Sequence, residues 1–276
     1  MQTETWLDEK PTREIRCAEI WGGIRATEQE VRTPGVSATL SSTAGGDDAG
    51  GDIYYFSVCQ YESLTRIAIA DVRGHGQAAS EVSGWIYQAL ERRMNDPNGA
   101  KVLTELNQLA SARGTEAITT AAVATFHRER RTLSYAYAGH PPMLLGRRGR
   151  NWRALDTAAW GGPSNTPLGA IRQARFTQAT VRVEPGDRLF VATDGVRETP
   201  RGDEDFGDER LIETLERTAE RPLADARRQV NDELERFAGG ALVHDDCTFL
   251  LVEILEPPPT LWQRLWRGGT PGQPSR

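Results

Sequence analysis

Apolar and polar residues recur along this chain with two periods. Short β-branched and aromatic runs with period-two alternation predict strands at Val36–Ser42, Ile53–Val58 and Thr65–Ala70, the last with Ile67 and Ile69 on one face. Further strands are predicted at Phe176–Val183, Arg188–Thr193 and Thr248–Ile254, and Ala121–Phe126 and Leu133–Tyr137 read as a hairpin around the charged turn of residues 127–131. Four segments switch to helical spacing. Ala78–Met94 carries Ala78, Val82, Trp85, Ile86, Ala89 and Leu90 on one face. Asn98 can cap a second helix with the stripe Val102, Leu103, Leu106, Leu109 and Ala110. Glu209–Glu220 and Pro222–Phe237 predict two more. Strands, a helix pair, strands, a helix pair and a last strand predict an α+β fold, with antiparallel sheets at the centre and helices outside. A doubly wound α/β fold would need regular strand–helix alternation, which the pattern lacks.

The flanks read differently. Residues 1–35 are polar and charged, broken by Trp21-Gly22-Gly23 and Pro34-Gly35, and read as a lead-in to a domain spanning residues 36–255. Residues 256–276 are rich in proline and glycine and read as a disordered tail. Within that tail Leu261, Trp262, Leu265 and Trp266 have helical spacing, which suits one turn packed back on the domain better than a membrane-surface helix.

Composition narrows the function classes. The 276 residues carry 38% hydrophobic and 26% charged side chains, enough for a packed core. The net charge of −6 argues against a nucleic-acid binder, which would show a basic stripe. Cys17, Cys59 and Cys247 give neither a disulfide framework nor a zinc motif. No basic-then-apolar leader opens the chain and no run of eighteen apolar residues interrupts it, so the expectation is a cytoplasmic protein without a membrane span. No sensor domain is recognisable beside the domain.

The informative pattern is the placement of aspartates at strand ends. Gly50-Gly51-Asp52 runs into the strand IYYFSV, and Asp71 closes RIAIA and opens DVRGHG. Asp194 follows LFVAT, while Asp245 and Asp246 precede CTFLLVEI. One Asp-Gly pair alone is best read as a turn. Four strand ends that each deliver a carboxylate point to a shared site. Clustered carboxylates repel unless a cation sits among them, and oxygen-only donors suit Mg²⁺ or Mn²⁺ rather than zinc. Two such ions would acidify a water and neutralise a phosphoryl group, so the pattern predicts a metal-dependent phosphohydrolase.

The segments GGDIYYFSV, IAIADVRGHGQAAS, YAGHPPMLL, TPLG, GDRLFVATDGVRE, FGDERL and DDCTFLLV occur in the order and rough spacing of a known family. From about Val36 to Ile254 the chain resembles the bacterial, SpoIIE-like branch of the metal-dependent protein phosphatases, the protein phosphatase 2C family. The resemblance implies a four-layer α-β-β-α sandwich with the site at one edge of the two sheets. It implies a protein phosphoserine or phosphothreonine substrate and two or more Mn²⁺ or Mg²⁺ ions. Asp52 matches one metal ligand, Asp71 the bridging ligand, Val72 a carbonyl ligand, Asp194 another carboxylate, and Asp245, with Asp246 beside it, the last. Water held by Asp52, Asp71 and the metals would attack phosphorus in line without a phosphoenzyme. The resemblance also implies a phosphoprotein substrate of the anti-sigma-factor antagonist type in a partner-switching pathway. The 78–112 helix pair corresponds to a switch and dimer contact in some relatives, hence a candidate homodimer face.

Some positions stay open. Asp47 and Asp48 offer a competing frame to Asp52, which is preferred because the strand follows it directly. Arg73 stands where the eukaryotic branch has a histidine, which leaves the proton donor unassigned. His75 is a candidate catalytic acid, with a structural turn role as its rival. His140 reads as a turn residue and His244 as a second-layer or solvated one; His127 is assigned nothing. Thr193 and Thr248 flank proposed ligands and can bond their carboxylates. The stretch 146–153 reads as a solvated arginine-rich loop, and 156–166 as a substrate-facing flap. Two rival readings are a non-catalytic phosphatase-like regulatory binder and a different two-metal phosphohydrolase. The first would lose ligands; the second usually recruits clustered histidines.

Overall fold

A computed structural model of the chain describes residues 10–45, 50–74, 76–93, 96–156, 166–242 and 244–256. The tail motif, residues 157–165 of the proposed flap, Asp47, Asp48 and His75 lie outside these. Strands and helices are numbered in chain order. One sheet has seven strands in the order β1 (Arg13–Glu14), β3 (Thr27–Arg32), β4 (Val36–Thr43), β15 (Cys247–Ile254), β12 (Arg188–Ala192), β9 (Leu144–Arg147) and β10 (Arg150–Ala154). The other has six, in the order β11 (Ala179–Arg182), β8 (Thr132–Ala138), β7 (Thr119–His127), β6 (Leu64–Val72), β5 (Asp52–Cys59) and β2 (Ile20–Gly23). A small hairpin joins β13 (Pro200–Arg201) to β14 (Glu204–Asp205). The helices are α1 (Gly76–Glu91), α2 (Gly99–Arg113), the short α3 (Asp194–Arg197), α4 (Gly207–Arg217) and α5 (Leu223–Ala238).

Strand alternation sorts the side chains into three apolar clusters, and these define the layers. Leu40, Tyr54, Phe56, Ile67, Ile69, Leu189, Val191 and Leu250 form one core between the two sheets. Ile53, Tyr55, Ala68, Ala70 and Val72 turn the other way and meet Val82, Ile86, Leu103 and Leu106 of α1 and α2. Phe190, Phe249 and Leu251 turn outward from the seven-stranded sheet onto Leu211, Leu215, Val230 and Leu234 of α4 and α5. The result is the α-β-β-α sandwich. Both large sheets are antiparallel except for the edge pair β1–β3, which is parallel.

The helix pair forms for the reasons its sequence suggests. Asn98 Oδ1 accepts from the Lys101 N–H at 3.1 Å and caps α2. The buried stripes are less apolar than the spacing implies. Ala79, not Ala78, faces the core of α1, and Ser83 joins it by donating to the Gly51 carbonyl at 2.7 Å. Asn107 replaces Leu109 on the buried face of α2, donating to the carbonyls of Ile171 and Arg172 and accepting from the Gly169 N–H. These polar residues are affordable because each bonds a loop backbone.

The remaining differences concern strands. Residues 13–32 place one strand in the six-stranded sheet and two in the seven-stranded sheet. Residues 146–153 are no solvated loop. They fall in the β9–β10 hairpin, where Trp152 is buried and packs over Gly146; a Cβ there would meet the indole at 2.7 Å. The arginines are tied down too, Arg147 to Asp187 at 2.5 Å and Arg150 to Glu220 at 2.6 Å. The strand expected at Phe176 starts only at Ala179, because Phe176 packs into the helix-side core. Among the described residues no helix is long and apolar enough to cross a membrane.

Candidate metal centre

The β5–β6 ladder sets Asp52 directly opposite Asp71. Both share the strand face of Tyr54 and Ile69, so both point between the sheets. Like charges opposite one another in a ladder are destabilising. Here burial sharpens the conflict, because Asp52 is only 3% exposed. Its carboxyl is raised well above its ordinary range, by burial first and then by Asp71. Asp71 is pushed up to about 7, by burial and then by Asp194, Asp245, Asp246 and Glu198. Asp194 is raised by burial and by Asp245.

One oxygen of Asp52 is held and the other is not. The Thr193 hydroxyl donates to Oδ2 at 2.9 Å. Thr193 Oγ1 in turn accepts from the Thr248 N–H at 3.1 Å, and Thr248 Oγ1 bonds Ser42 Oγ at 2.8 Å. This hydroxyl chain crosses from the middle of the seven-stranded sheet to the end of β5. Asp52 Oδ1 is buried and has no hydrogen-bond partner among the described residues. A buried carboxylate oxygen left so costs on the order of 1–3 kcal/mol or more, which a cation would recover.

The other carboxylates differ in role. Asp194 opens α3 directly after β12, with Thr193 at the N-cap position. Asp246 accepts from the Gly45 N–H at 2.9 Å and also from the Gly51 N–H. It therefore holds Gly45 and Gly51 together. A Cβ on Gly50 would lie 2.6 Å from its carboxylate, and one on Gly195 would lie 2.1 Å from its carbonyl, so neither position has room for a side chain. Asp245 is exposed, and its Oδ1 accepts the Asp246 N–H at 2.8 Å. The Val72 carbonyl lies at the lip of the cluster, 2.8 Å from where a Gly51 Cβ would sit, and Arg73 beyond it is exposed.

Glu198 was not singled out by sequence reasoning. It is raised by burial and then by Asp194, Asp205 and Asp245. Its signal was available: it lies four residues after Asp194, one helical turn on. The described histidines stand outside the cluster. His140 is buried, with Nδ1 donating to the Pro141 carbonyl at 2.9 Å and its pKa lowered to about 4 by burial. His127 lies at the end of β7, and His244 is exposed.

Among the described residues no three His, Cys, Asp or Glu side chains stand at the spacing of one ion's shell. The donor set nevertheless fits a hard divalent cation in chemistry and charge. It consists of carboxylates and a backbone carbonyl, it holds Asp52 Oδ1 without a partner, and its members raise one another's pKa.

Comparison with known proteins adds a family and a fold. A family model described as stage II sporulation protein E (SpoIIE) matches residues 62–255. Protein IcfG of Synechocystis sp. is 32% identical over 124 residues, 44% of this chain and 18% of that protein, so the chain spans only a small part of that relative. The SiaA-PP2C domain of Pseudomonas aeruginosa superposes with a TM-score of 0.68 at 20% identity, covering 78% of this chain and 85% of that one. RsbX in complex with magnesium superposes with a TM-score of 0.61 at 16% identity, covering 83% of this chain and all of that one.

Proposed function

The chain belongs to the SpoIIE family, a bacterial branch of the PP2C-type metal-dependent protein phosphatases, and we propose that it removes phosphate from phosphoserine or phosphothreonine on a signalling protein. The observation that carries this reading is the buried Asp52–Asp71 pair, with one oxygen of Asp52 unpaired among the described residues.

In this reading Asp52, Asp71, Asp194 and Asp245 hold divalent cations with the Val72 carbonyl. The relative RsbX is described with magnesium, and Mg²⁺ or Mn²⁺ is proposed here. Such ions, when bound, supply an acidified water and neutralise phosphoryl oxygens. The chain's own residues do the rest. Thr193 fixes Asp52, so that Oδ1 rather than Oδ2 faces the site. Asp246 accepts from the Gly45 and Gly51 N–H groups and so fixes the backbone at the start of β5. Placing the cluster between two rigid sheets limits how far the carboxylates can relax apart, which favours cation binding over simple protonation. His75, four residues after Asp71, is the proposed donor to the leaving oxygen.

The substrate is proposed to be a phosphoprotein of the anti-sigma-factor antagonist type, met in the cytoplasm. The outer face of α1 and α2, where Leu109 is exposed, is the proposed dimer contact. The test is release of phosphate from p-nitrophenyl phosphate and from a phosphoserine protein, with and without Mn²⁺ or Mg²⁺. Metal-dependent release from both, lost in Asp71→Asn and Asp194→Asn, is the expected result. No release with any divalent ion would favour a non-catalytic binder, and release that survives Asp71→Asn would place the site elsewhere.

A further inference from the structure

Three buried polar atoms on the helix-side face of the six-stranded sheet have no hydrogen-bond partner among the described residues: Tyr55 Oη, Ser57 Oγ and Arg66 Nε. None of the three residues is more than 1% exposed. The ladder gathers them. Ser57 on β5 lies directly opposite Arg66 on β6, so their side chains leave the same face, and Cα atoms so placed are about 4.5–5.5 Å apart. Tyr55, two residues before Ser57, leaves that face too and meets Tyr87 of α1 edge-on, with ring centroids 6.1 Å apart. Ser57 and Arg66 both act on the Tyr55 hydroxyl, drawing down a pKa that burial pushes up to about 12. Arg66 brings a buried charge that no carboxylate among the described residues pairs with. Its Nη1 donates to the Arg93 carbonyl at 2.7 Å, a neutral acceptor. Asp96 is the acid that acts on Arg66, and its carboxylate is paired with Lys101 at 2.8 Å. Glu91 acts on Tyr55 and Tyr87 instead. Cys59, next on the same face, is raised by burial and stays a neutral thiol. An unpaired charge held in a protein interior costs several kcal/mol, on the order of 3–5.

We propose that Tyr55, Ser57 and Arg66 form a binding site for one monovalent anion of halide size, such as chloride, buried between the β5–β6 ladder and α1. All three groups donate, Arg66 through an N–H and the other two through O–H, and a spherical anion accepts from all of them at once. A buried water would satisfy the hydroxyls but leave the charge of Arg66 unpaired. A phosphate or carboxylate suits the site poorly. Three donors and one positive charge, closed off from solvent, leave most of an oxyanion's lone pairs without a partner. The ion's role is structural. It adds to the tie that Arg66 makes from the sheet to the end of α1 through the Arg93 carbonyl.

The inference does not depend on the phosphatase reading, and its test reads stability and X-ray scattering rather than activity. The full chain is melted without divalent metal in mixtures of sodium gluconate and sodium chloride at constant ionic strength, beside Ser57→Ala and Tyr55→Phe. Taking the difference between wild type and variant cancels the general effect of each salt. Wild type should gain stability over both variants as chloride rises, along a saturating one-site curve, and sodium bromide should act in the same way. The apparent dissociation constant for chloride should rise about tenfold or more in each variant, as expected for the loss of one hydrogen bond to a charged group. Crystals grown in bromide should show an anomalous peak within hydrogen-bond reach of Arg66 Nε and Ser57 Oγ. The proposal is overturned if wild type and both variants respond alike to chloride, or if bromide crystals show a water or no anomalous peak beside Arg66 Nε.

Discussion

The β5–β6 hairpin buries ionisable groups at both ends, and the two ends treat them in opposite ways. At one end Asp52 faces Asp71 between the sheets, two like charges set opposite one another. At the other, Arg66 faces Ser57 on the helix side and is 1% exposed. Arg66 spends its charge on architecture: Nη1 donates to the Arg93 carbonyl at 2.7 Å, just past the end of α1. Arg93 in turn pairs with Glu105 of α2 at 2.8 Å, so the two guanidinium groups in series tie the sheet to both helices. The carboxylate end is tied through Asp52 Oδ2 to Thr193, but it keeps Asp52 Oδ1 without a partner among the described residues and raises its own pKa values. A buried charge that bonds the backbone supports the fold; a buried charge that repels its neighbour and lacks a partner waits for a ligand.

Substitution at the two ends should therefore separate function from stability. Asp71→Asn should lower metal-dependent phosphate release on the order of 10³-fold, since a bridging cation is worth several kcal/mol in the transition state. In chelator the same variant should be at least as stable as wild type, because it removes repulsion. Arg66→Ala should do the reverse. It leaves the Arg93 carbonyl unbonded and a cavity beside α1, which together cost about 2–4 kcal/mol in a urea titration. Its folded fraction should keep most of its turnover. Equal loss of turnover in both variants would erase the contrast.

The carboxylate end also predicts a pH dependence. A carboxyl raised in the folded state holds its proton more tightly there than in the unfolded chain. Its contribution is fully present below the ordinary value of 3.8 and is lost as pH rises through about 7. His140 acts oppositely: lowered to about 4 from 6.5, it makes stability rise with pH across that interval. Wild type alone would mix the two, so the readout is the difference from Asp71→Asn. In chelator the variant's stability advantage should grow from pH 5 to pH 8, by at most about 1.4 kcal/mol per unit. Saturating Mg²⁺ or Mn²⁺ should remove that advantage. Parallel curves in chelator would mean that Asp71 is not held in a repelling cluster.

The two ends were unequally legible in the sequence. Asp52, Asp71, Asp194, Asp245 and Asp246 stood out because each adjoins a strand and two, Asp52 and Asp194, have glycine beside them, and the layer order followed from where the period changed. Arg66 was invisible: it opens the apolar run RIAIA, and nothing local says that its guanidinium turns under a helix end 27 residues later. The strands in residues 13–32 and the β9–β10 hairpin were missed for a related reason. They lie at or next to the sheet edges and are short or charged, and their identity comes from pairing partners rather than from their own alternation. The division of labour between Asp245 and Asp246 needed the bonds from Gly45 and Gly51 that Asp246 accepts.

The smallest expected effect tests how finely the carboxylate end is set. Thr193 accepts from the Thr248 N–H and donates to Asp52 Oδ2, so it joins the centre of one sheet to the ligand edge of the other. Thr193→Val keeps the shape and removes the hydroxyl. Two buried groups lose a partner, at a cost of about 1–3 kcal/mol. If that were all, the metal response of the folded protein would not change. If the hydroxyl holds Asp52 with Oδ1 facing the site, the metal concentration for half-maximal turnover should rise about 10–100-fold. Turnover at saturating metal should then recover most of its wild-type value, and Thr193→Ser, which restores the hydroxyl, should recover both. A fall in stability with an unchanged metal titration would make Thr193 a packing residue and nothing more. It would also mean that Asp52 is oriented by its burial alone.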